Sequence, residues 1–344
     1  MKKFNIQNSK IKLGKSISRD KIDAEIGELY SKVIFITDLN LYSHYSSFLD
    51  KYGLIKINPG EKSKNLDVVS DIIEEMIEIG ADRNSILVGF GGGVVCDITG
   101  FVSSVYMRGI DFGYVSTSLL SQVDASLGGK TGVNFKQFKN MIGIFNQPKF
   151  VICNIDYLRT LSDEEFLNGM GEVVKHAIIS DVGYFDFIRL NIEKVLNRDE
   201  NIIIELISKS IEIKSNIVLE DEKEKGVRKI LNFGHTFGHA IESKYGIKHG
   251  FSVVLGMLIS LKLSQKLGFI ELSEIEKIIK LFMDLKILHK DEKEILKKEN
   301  ILLLLDLIKN DKKKNDNNVD LILIKNIGNA VIYSISFDDI EKML

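Results

Sequence analysis

At 344 residues the chain is long enough for two domains, because single hydrophobic cores rarely grow past roughly 250–300 residues. Apolar residues make up 44% and charged residues 27%, ordinary proportions for a soluble globular protein. The balance of 46 basic against 48 acidic residues argues against a general binder of nucleic acid or membrane surface, so any anion site has to be a local cluster of Lys and Arg.

The N-terminal stretch MKKFNIQNSKIKLGK is basic but leads into no apolar core of signal-peptide type. No apolar run approaches the roughly 18–20 residues that a bilayer span needs, and a cytoplasmic location is the expectation. Short runs rich in branched or aromatic residues follow at Val33–Ile36, Leu54–Ile57, Ile86–Phe90, Gly113–Val115 and Phe150–Cys153, and read as strands. Between the second and third, Val69, Ile72, Ile73, Met76 and Ile77 recur at helical spacing. Alternating strand and helix predicts a mainly parallel sheet flanked by helices. Beyond about residue 160, long helical stretches take over: 163–180, 184–196, 201–219, 228–244, 253–267 and more as far as Asn310. The run 309–318 reads as a polar loop. VDLILI (319–324) and AVIYSI (330–335), joined by a glycine-containing turn, read as a β-hairpin. The prediction is therefore an α/β domain over 1–158 and a mainly α-helical domain with a small β-hairpin over 159–344, with a cleft between them as the natural place for a site. Cys96 and Cys153 are the only cysteines, too few for a disulfide framework, and are expected to be small buried residues.

Three groups of residues could carry chemistry. Gly89-Phe-Gly-Gly-Gly93 follows an apolar strand and precedes a predicted helix, Val95–Val105, whose N-terminal N–H groups could receive a pyrophosphate. Asp97, placed in the first turn of that helix, could accept a hydrogen bond from a ribose hydroxyl. The G-x-G-x-x-G pattern is incomplete, because Val94 stands at its last glycine, and a plain tight turn would leave the same trace. Three of the six histidines fall within fifteen residues: His235 and His239, four apart on one helical face, and His249 in the loop that follows. With one carboxylate they could supply three ligands and an open position, as in a catalytic zinc site. Glu172 is the carboxylate to join them, since it sits among small residues on an otherwise apolar helix. His44, His176 and His289 have no such company and read as structural. Finally, Arg108 follows an apolar helix, Lys130 follows two glycines, Lys139 precedes the apolar MIGIF segment, Lys175 sits one helical turn after Glu172, and Lys214 and Arg228 flank an acidic stretch. A substrate carrying phosphate and carboxylate could pair with them, while a surface role or a structural salt bridge would account for any one of them alone.

Together these segments resemble 3-dehydroquinate synthases, members of the sugar phosphate cyclase superfamily. The resemblance is carried by GGGVVCDITGFVSSVYMRG (91–109), STSLLSQVDASLGGKTGVN (116–134), KNMIGIFNQP (139–148), NGMGEVVKHAI (168–178), EKGVRKILNFGHTFGHAIES (224–243) and HGFSVVLGM (249–257), with fainter matches at PGEKSK (59–64) and DKK (311–313). One departure is STS at 116–118, where the family usually shows PTT. The resemblance implies a Rossmann-like NAD-binding domain followed by a helical metal- and substrate-binding domain. It implies NAD and Zn2+ (or Co2+) as cofactors, a sugar acid phosphate as substrate, and a homodimer. The implied metal ligands are Glu172, His235 and His249, with His239 outside the set. Implied NAD contacts are Asp38, Glu61, Lys64, Gly92, Gly93, Val94, Asp97, Thr117, Ser118, Lys130, Lys139 and Thr160. Implied substrate and catalytic contacts are Arg108, Asp124, Lys130, Asn140, Lys175, Lys214, Arg228, Asn232, His239 and a lysine of the pair Lys312 and Lys313. The implied chemistry is transient oxidation of a hydroxyl by NAD, phosphate elimination, re-reduction and an intramolecular aldol closure, with no net redox. Other readings are a related sugar phosphate cyclase, a metal-dependent polyol dehydrogenase, and a non-catalytic NAD or metal sensor. Arg228, Asn232 and His239 look like the dehydroquinate pattern.

Overall fold

A seven-stranded sheet forms the centre of the first of two units into which the chain divides. That unit comprises Met1–Ser162 with Lys214–Leu219, and the second comprises Asp163–Ile213 with Glu220–Leu344. The structure, a computed structural model, describes residues 1–136, 138–288, 294–311 and 317–344. In chain order the strands of the first unit are β1 (Lys2–Ile6), β2 (Ser9–Gly14), β3 (Val33–Asp38), β4 (Gly53–Ile57), β5 (Ile86–Gly91), β6 (Asp111–Ser116), β7 (Lys130–Phe135), β8 (Phe138–Phe145) and β9 (Phe150–Asn154). The main sheet has the order β1-β2-β9-β6-β5-β3-β4. Every pairing in it is parallel except β1 with β2.

The five predicted strands are β3, β4, β5, β6 and β9. Strands β5 and β9 are buried along their whole length, as expected of parallel strands covered on both faces. Helices α1 (Arg19–Ile26), α2 (Leu39–Leu49), α3 (Leu66–Ile79) and α4 (Gly93–Val105) connect or flank them. Helix α3 begins where Asn65 accepts the Val68 N–H at 3.0 Å, and ends at Gly80, whose φ of 79° suits glycine. Strands β7 and β8 form a separate antiparallel hairpin.

The second unit holds α5 (Asp163–Ser180), α6 (Val182–Leu190), α7 (Ile192–Leu196), α8 (Glu200–Glu220), α9 (His235–Tyr245), α10 (His249–Lys266), α11 (Leu272–Asp284) and α12 (Lys298–Asp311), then the hairpin β10 (Asn318–Asn326) and β11 (Asn329–Ser336), and last α13 (Phe337–Met343). Residues Lys214–Leu219 of α8 group with the first unit. The predicted helix over 184–196 is in fact two, broken at Asn191 (φ −120°). The predicted helix over 228–244 starts late. Residues Val227–Asn232 form a 3₁₀ turn, Gly234 reverses the chain at φ 80°, and α9 opens at His235. The stretch predicted as a polar loop from residue 309 begins as the end of α12. The core of this unit packs Phe237 and Ile241 of α9, Leu255, Ile259 and Leu263 of α10, Leu304 and Leu305 of α12, and Leu321 and Leu323 of β10. Burying each such side chain contributes roughly 1.5–3 kcal/mol. Among the described residues no helix is long and apolar enough to cross a membrane.

Candidate metal and nucleotide sites

Glycines decide how closely α5, α9 and α10 approach. A Cβ on Gly250 would stand 1.8 Å from the Asn168 carbonyl oxygen, one on Gly256 would stand 1.9 Å from that of Gly234, and one on Gly171 would stand 2.5 Å from that of Gly250. No other residue fits at these crossings. Helix α10 has no side-chain cap of its own. Instead Asn168 of α5 accepts the Gly250 N–H at 2.7 Å, which satisfies one of the free donors of that helix end. His249, the first residue of α10, is thereby held over α5. Gly234 sets His235 at the first position of α9.

The result is a converging triad. Glu172 on α5 is fully buried. Its Oε1 lies 3.6 Å from Nε2 of His235 and 3.6 Å from Nε2 of His249. One ligand atom from each of the three side chains falls within 4.8 Å of the others. An ion about 2.0–2.1 Å from each donor would set tetrahedral neighbours about 3.4 Å apart, so the spacing fits one divalent cation. A carboxylate with two imidazoles suits zinc or cobalt. The second carboxylate oxygen, Oε2, is bonded to the ammonium of Lys175 one turn along α5, itself buried. Nδ1 of His235 lies 3.2 Å from the Phe233 carbonyl, and Nδ1 of His249 lies 3.2 Å from Oε2 of Glu242. Burial, and then the charge of Lys175, hold His235 well below the usual histidine range despite Glu172. Burial also disfavours the charged form of His249, but hydrogen bonds to Glu172 and Glu242 outweigh it and raise that imidazole to about 9.

Of the other predicted residues of this unit, Lys175 and His239 lie beside the triad. The ring of His239 is 5.3 Å from that of His235 and 5.9 Å from that of His249, yet His239 is exposed and lies outside the triad. Arg228 is buried, and its guanidinium donates to the Glu222 carbonyl. The turn that carries it is gathered by Asp221, whose carboxylate accepts N–H groups from Lys225 at 3.0 Å, Gly226 at 2.7 Å and Arg228 at 3.1 Å. The Asn232 side chain donates to Glu224, a residue the sequence reading passed over and which adopts a φ of 57°. Glu242 was passed over too. Lys312 and Lys313 lie outside the described residues, as does His289. His176 is fully buried and His44 exposed.

In the first unit the glycine turn joins β5 to α4. Gly92 caps α4 through its carbonyl, which accepts the Cys96 N–H at 3.0 Å. A Cβ on Gly91 would press on Val95 at 2.4 Å, while Gly92 and Gly93 face Ser118 and Ala125 at 3.2 Å. The Thr117 N–H donates to the Gly91 carbonyl at 3.0 Å, seating the STS turn beside the glycines. Gly92, Gly93, Val94, Thr117 and Ser118 are thus brought together at a helix N-terminus. Asp97 departs from expectation. It follows the first turn of α4 and is ion-paired with Lys64. Burial pushes its carboxyl up, against the pull of Lys64. Asn134 at the end of β7 ties this corner together, which the sequence reading also missed. Its N–H donates to the Lys64 carbonyl at 2.8 Å, its amide donates to Glu61 at 2.8 Å, and its oxygen accepts the N–H of Asn140 at 2.9 Å. Asn140 itself has a φ of 52°.

Asp124 and Lys214, each implied separately as a substrate contact, pair with one another. The ammonium donates to the Asp124 carboxylate at 2.5 Å and to its carbonyl at 2.7 Å. Asp38 is engaged in capping α2, accepting the Leu41 N–H at 3.0 Å. Thr160 bonds the Tyr45 hydroxyl at 3.1 Å. Lys130 and Lys139 lie on the β7–β8 hairpin, Lys130 exposed. Arg108 is exposed at the end of the 3₁₀ turn Tyr106–Arg108 that follows α4, between Met107 (φ 48°) and Gly109 (φ 115°). Cys96 and Cys153 are free and buried, as the sequence predicted.

Comparison with known proteins gives consistent results along the chain. The model of the 3-dehydroquinate synthase N-terminal region matches residues 54–168, and that of the 3-dehydroquinate synthase C-terminal region matches residues 169–314. The 3-dehydroquinate synthase of Alkaliphilus metalliredigens (strain QYMF) is 43% identical over 315 residues, which covers 87% of this chain and 85% of the relative. Among solved structures, a 2-epi-5-epi-valiolone synthase from Streptomyces hygroscopicus subsp. jinggangensis 5008, with NAD+ and Zn2+ bound, aligns at a TM-score of 0.85 with 22% identity, covering 100% of this chain and 96% of that one. A 2-deoxy-scyllo-inosose synthase complexed with carbaglucose-6-phosphate, NAD+ and Co2+ aligns at 0.85 with 22% identity, covering 99% and 98%. These two likenesses bear on the fold, which is the α/β and helical plan predicted. On the family models and the 43% identity, which reach across both units in order, the chain is an enzyme of the 3-dehydroquinate synthase family.

Proposed function

We propose that the chain is a metal-dependent carbon–oxygen lyase that converts 3-deoxy-D-arabino-heptulosonate 7-phosphate into 3-dehydroquinate and phosphate, using NAD without consuming it. The observation that carries the reading is the single oxygen of Glu172 facing Nε2 of both His235 and His249. When bound, NAD would accept and return a hydride and the divalent ion would polarise the reacting hydroxyl oxygen. Glu172, His235 and His249 would hold that ion. Backbone N–H groups of Gly92, Gly93 and Val94 at the start of α4 would receive the dinucleotide pyrophosphate, with Asp38, Glu61, Lys64, Asp97, Thr117, Ser118, Lys130, Lys139 and Thr160 around the rest of the cofactor. Arg108, Lys130, Lys175, Lys214 and Arg228 would neutralise the substrate phosphate and carboxylate, while Asp124, Asn140, Asn232 and His239 would orient its hydroxyls. Lys175 and Arg228 are each about 1% exposed, so their charges are little screened and act strongly on an anionic group.

The test is phosphate release by purified protein supplied with zinc and a trace of NAD. Phosphate should appear from the heptulosonate phosphate with no accumulation of NADH. Preference for a heptulose phosphate lacking the carboxylate would indicate a different cyclase, and net NADH from a simple alcohol would indicate a polyol dehydrogenase. Asn134→Ala, which unties Glu61, Lys64 and Asn140 from one another, is expected to weaken NAD binding about tenfold, the equivalent of one or two hydrogen bonds. Isothermal titration of NAD would read this, and an unchanged affinity would remove Asn134 from the cofactor corner.

A homodimer is part of the same proposal. Phe135, Phe138, Met141, Ile144 and Phe145 of the β7–β8 hairpin are all exposed, an apolar surface of the kind that marks association. Ile144→Lys is expected to shift sedimentation from dimer to monomer, and a wild-type mass would place the interface elsewhere.

A further inference from the structure

A ring nitrogen can bind a metal only if it carries no proton, so the partner at the opposite nitrogen decides which one is offered. Both imidazoles of the triad present Nε2 to Glu172 and have an acceptor at Nδ1. For His235 the acceptor is main chain, the Phe233 carbonyl at 3.2 Å. For His249 it is a side chain, Glu242, at 3.2 Å. Glu242 lies seven residues after His235 on α9, two helical turns along the same face. Its side chain is 13% exposed, so its carboxylate competes little with water. His249 enters α10 after a short connection in which Gly246 takes a φ of 67°, and its ring would otherwise be free to turn about χ1 and χ2.

We propose that Glu242 is a positioning residue for the metal: by accepting the Nδ1–H of His249 it fixes that ring's tautomer and rotation, so that Nε2 meets the ion shared with Glu172 and His235. The proposal rests on those three residues being the ligands. It predicts that Glu242 governs metal affinity although it touches no metal.

The experiment measures the zinc dissociation constant by competition with a chromophoric chelator, alongside the thermal midpoint of the zinc-free protein. Two replacements lack an acceptor, Glu242→Ala and the space-filling Glu242→Met, so that misfolding of either leaves the other to be read. Both should lose 10–100-fold in zinc affinity, the usual effect of removing such a partner, while the zinc-free protein stays folded. Glu242→Gln, whose amide oxygen can still accept the Nδ1–H, should retain zinc several-fold better than either. Wild-type affinity in the methionine or alanine protein would overturn the proposal, as would an equal loss in the glutamine protein. His249→Ala is measured beside them. If it binds zinc as the wild type does, the ligand assignment itself has failed, whereas loss in His249→Ala with none at Glu242 refutes only the positioning role.

Discussion

Glu172→Gln should abolish metal binding and reduce phosphate release at least about 100-fold, comparable to or beyond the loss expected from disturbing a ligand's partner. The amide keeps the shape of the carboxylate but not its charge, and its NH2 group can bind neither an ion nor the ammonium of Lys175. That ammonium is about 1% exposed and paired with Glu172, and breaking one side of a buried pair costs about 3–5 kcal/mol. The variant should therefore lose its metal and also unfold at lower urea. His235→Ala separates the two effects. It removes a proposed ligand and leaves the Glu172–Lys175 pair intact, so it should lose metal and turnover with a much smaller shift in the urea midpoint. Metal content, phosphate release and urea unfolding measured on both proteins check this. Wild-type metal content in either would remove the assignment.

Gly256→Ala should destabilise the second unit by about 3 kcal/mol or more, the upper part of the range for overpacking. Helix propensity alone predicts the opposite sign, since alanine is favoured over glycine inside a helix by about 1 kcal/mol. The close approach decides the outcome. The new Cβ would lie 1.9 Å from the Gly234 carbonyl oxygen and 2.7 Å from the Gly238 nitrogen. Both are backbone atoms and neither can swing aside. Relief requires α9 and α10 to part, which moves His235 and His249, so zinc affinity should fall as well although Gly256 lies seven residues from His249, the nearest proposed ligand. A urea midpoint at or above that of the wild type would show that the two helices do not cross this closely.

The parallel strands were legible because strands buried on both faces are continuous apolar runs, and β3, β5 and β9 are of that kind. Strand β2 was overlooked because lysines alternate with its apolar residues, yet Ile11 and Leu13 are fully buried, and that alternation is itself a strand signal. Sheet order is not carried by local pattern, and the insertion of β9 between β2 and β6 could not be read from it. At the metal site, residue type and spacing brought out Glu172, His235, His239 and His249 together, and only the family resemblance set His239 aside, because a spacing of four on a helix places two side chains on one face without saying which reaches a third. The structure groups the other three. The late start of α9 has the same origin: an apolar pattern runs through Gly234, and only its positive φ reveals the break. Glu242, Glu224 and Asn134 escaped notice because each acts through another residue. A polar side chain that serves a neighbour has no spacing of its own to betray it.

The central claim is that three side chains, Glu172, His235 and His249, meet at one divalent ion. Diffraction data collected on both sides of the zinc absorption edge, from crystals grown with zinc, test it most directly. One anomalous peak is predicted about 2.0–2.2 Å from Oε1 of Glu172 and from Nε2 of His235 and His249. A peak bound by His239 in place of His249, or one away from Glu172, would contradict it.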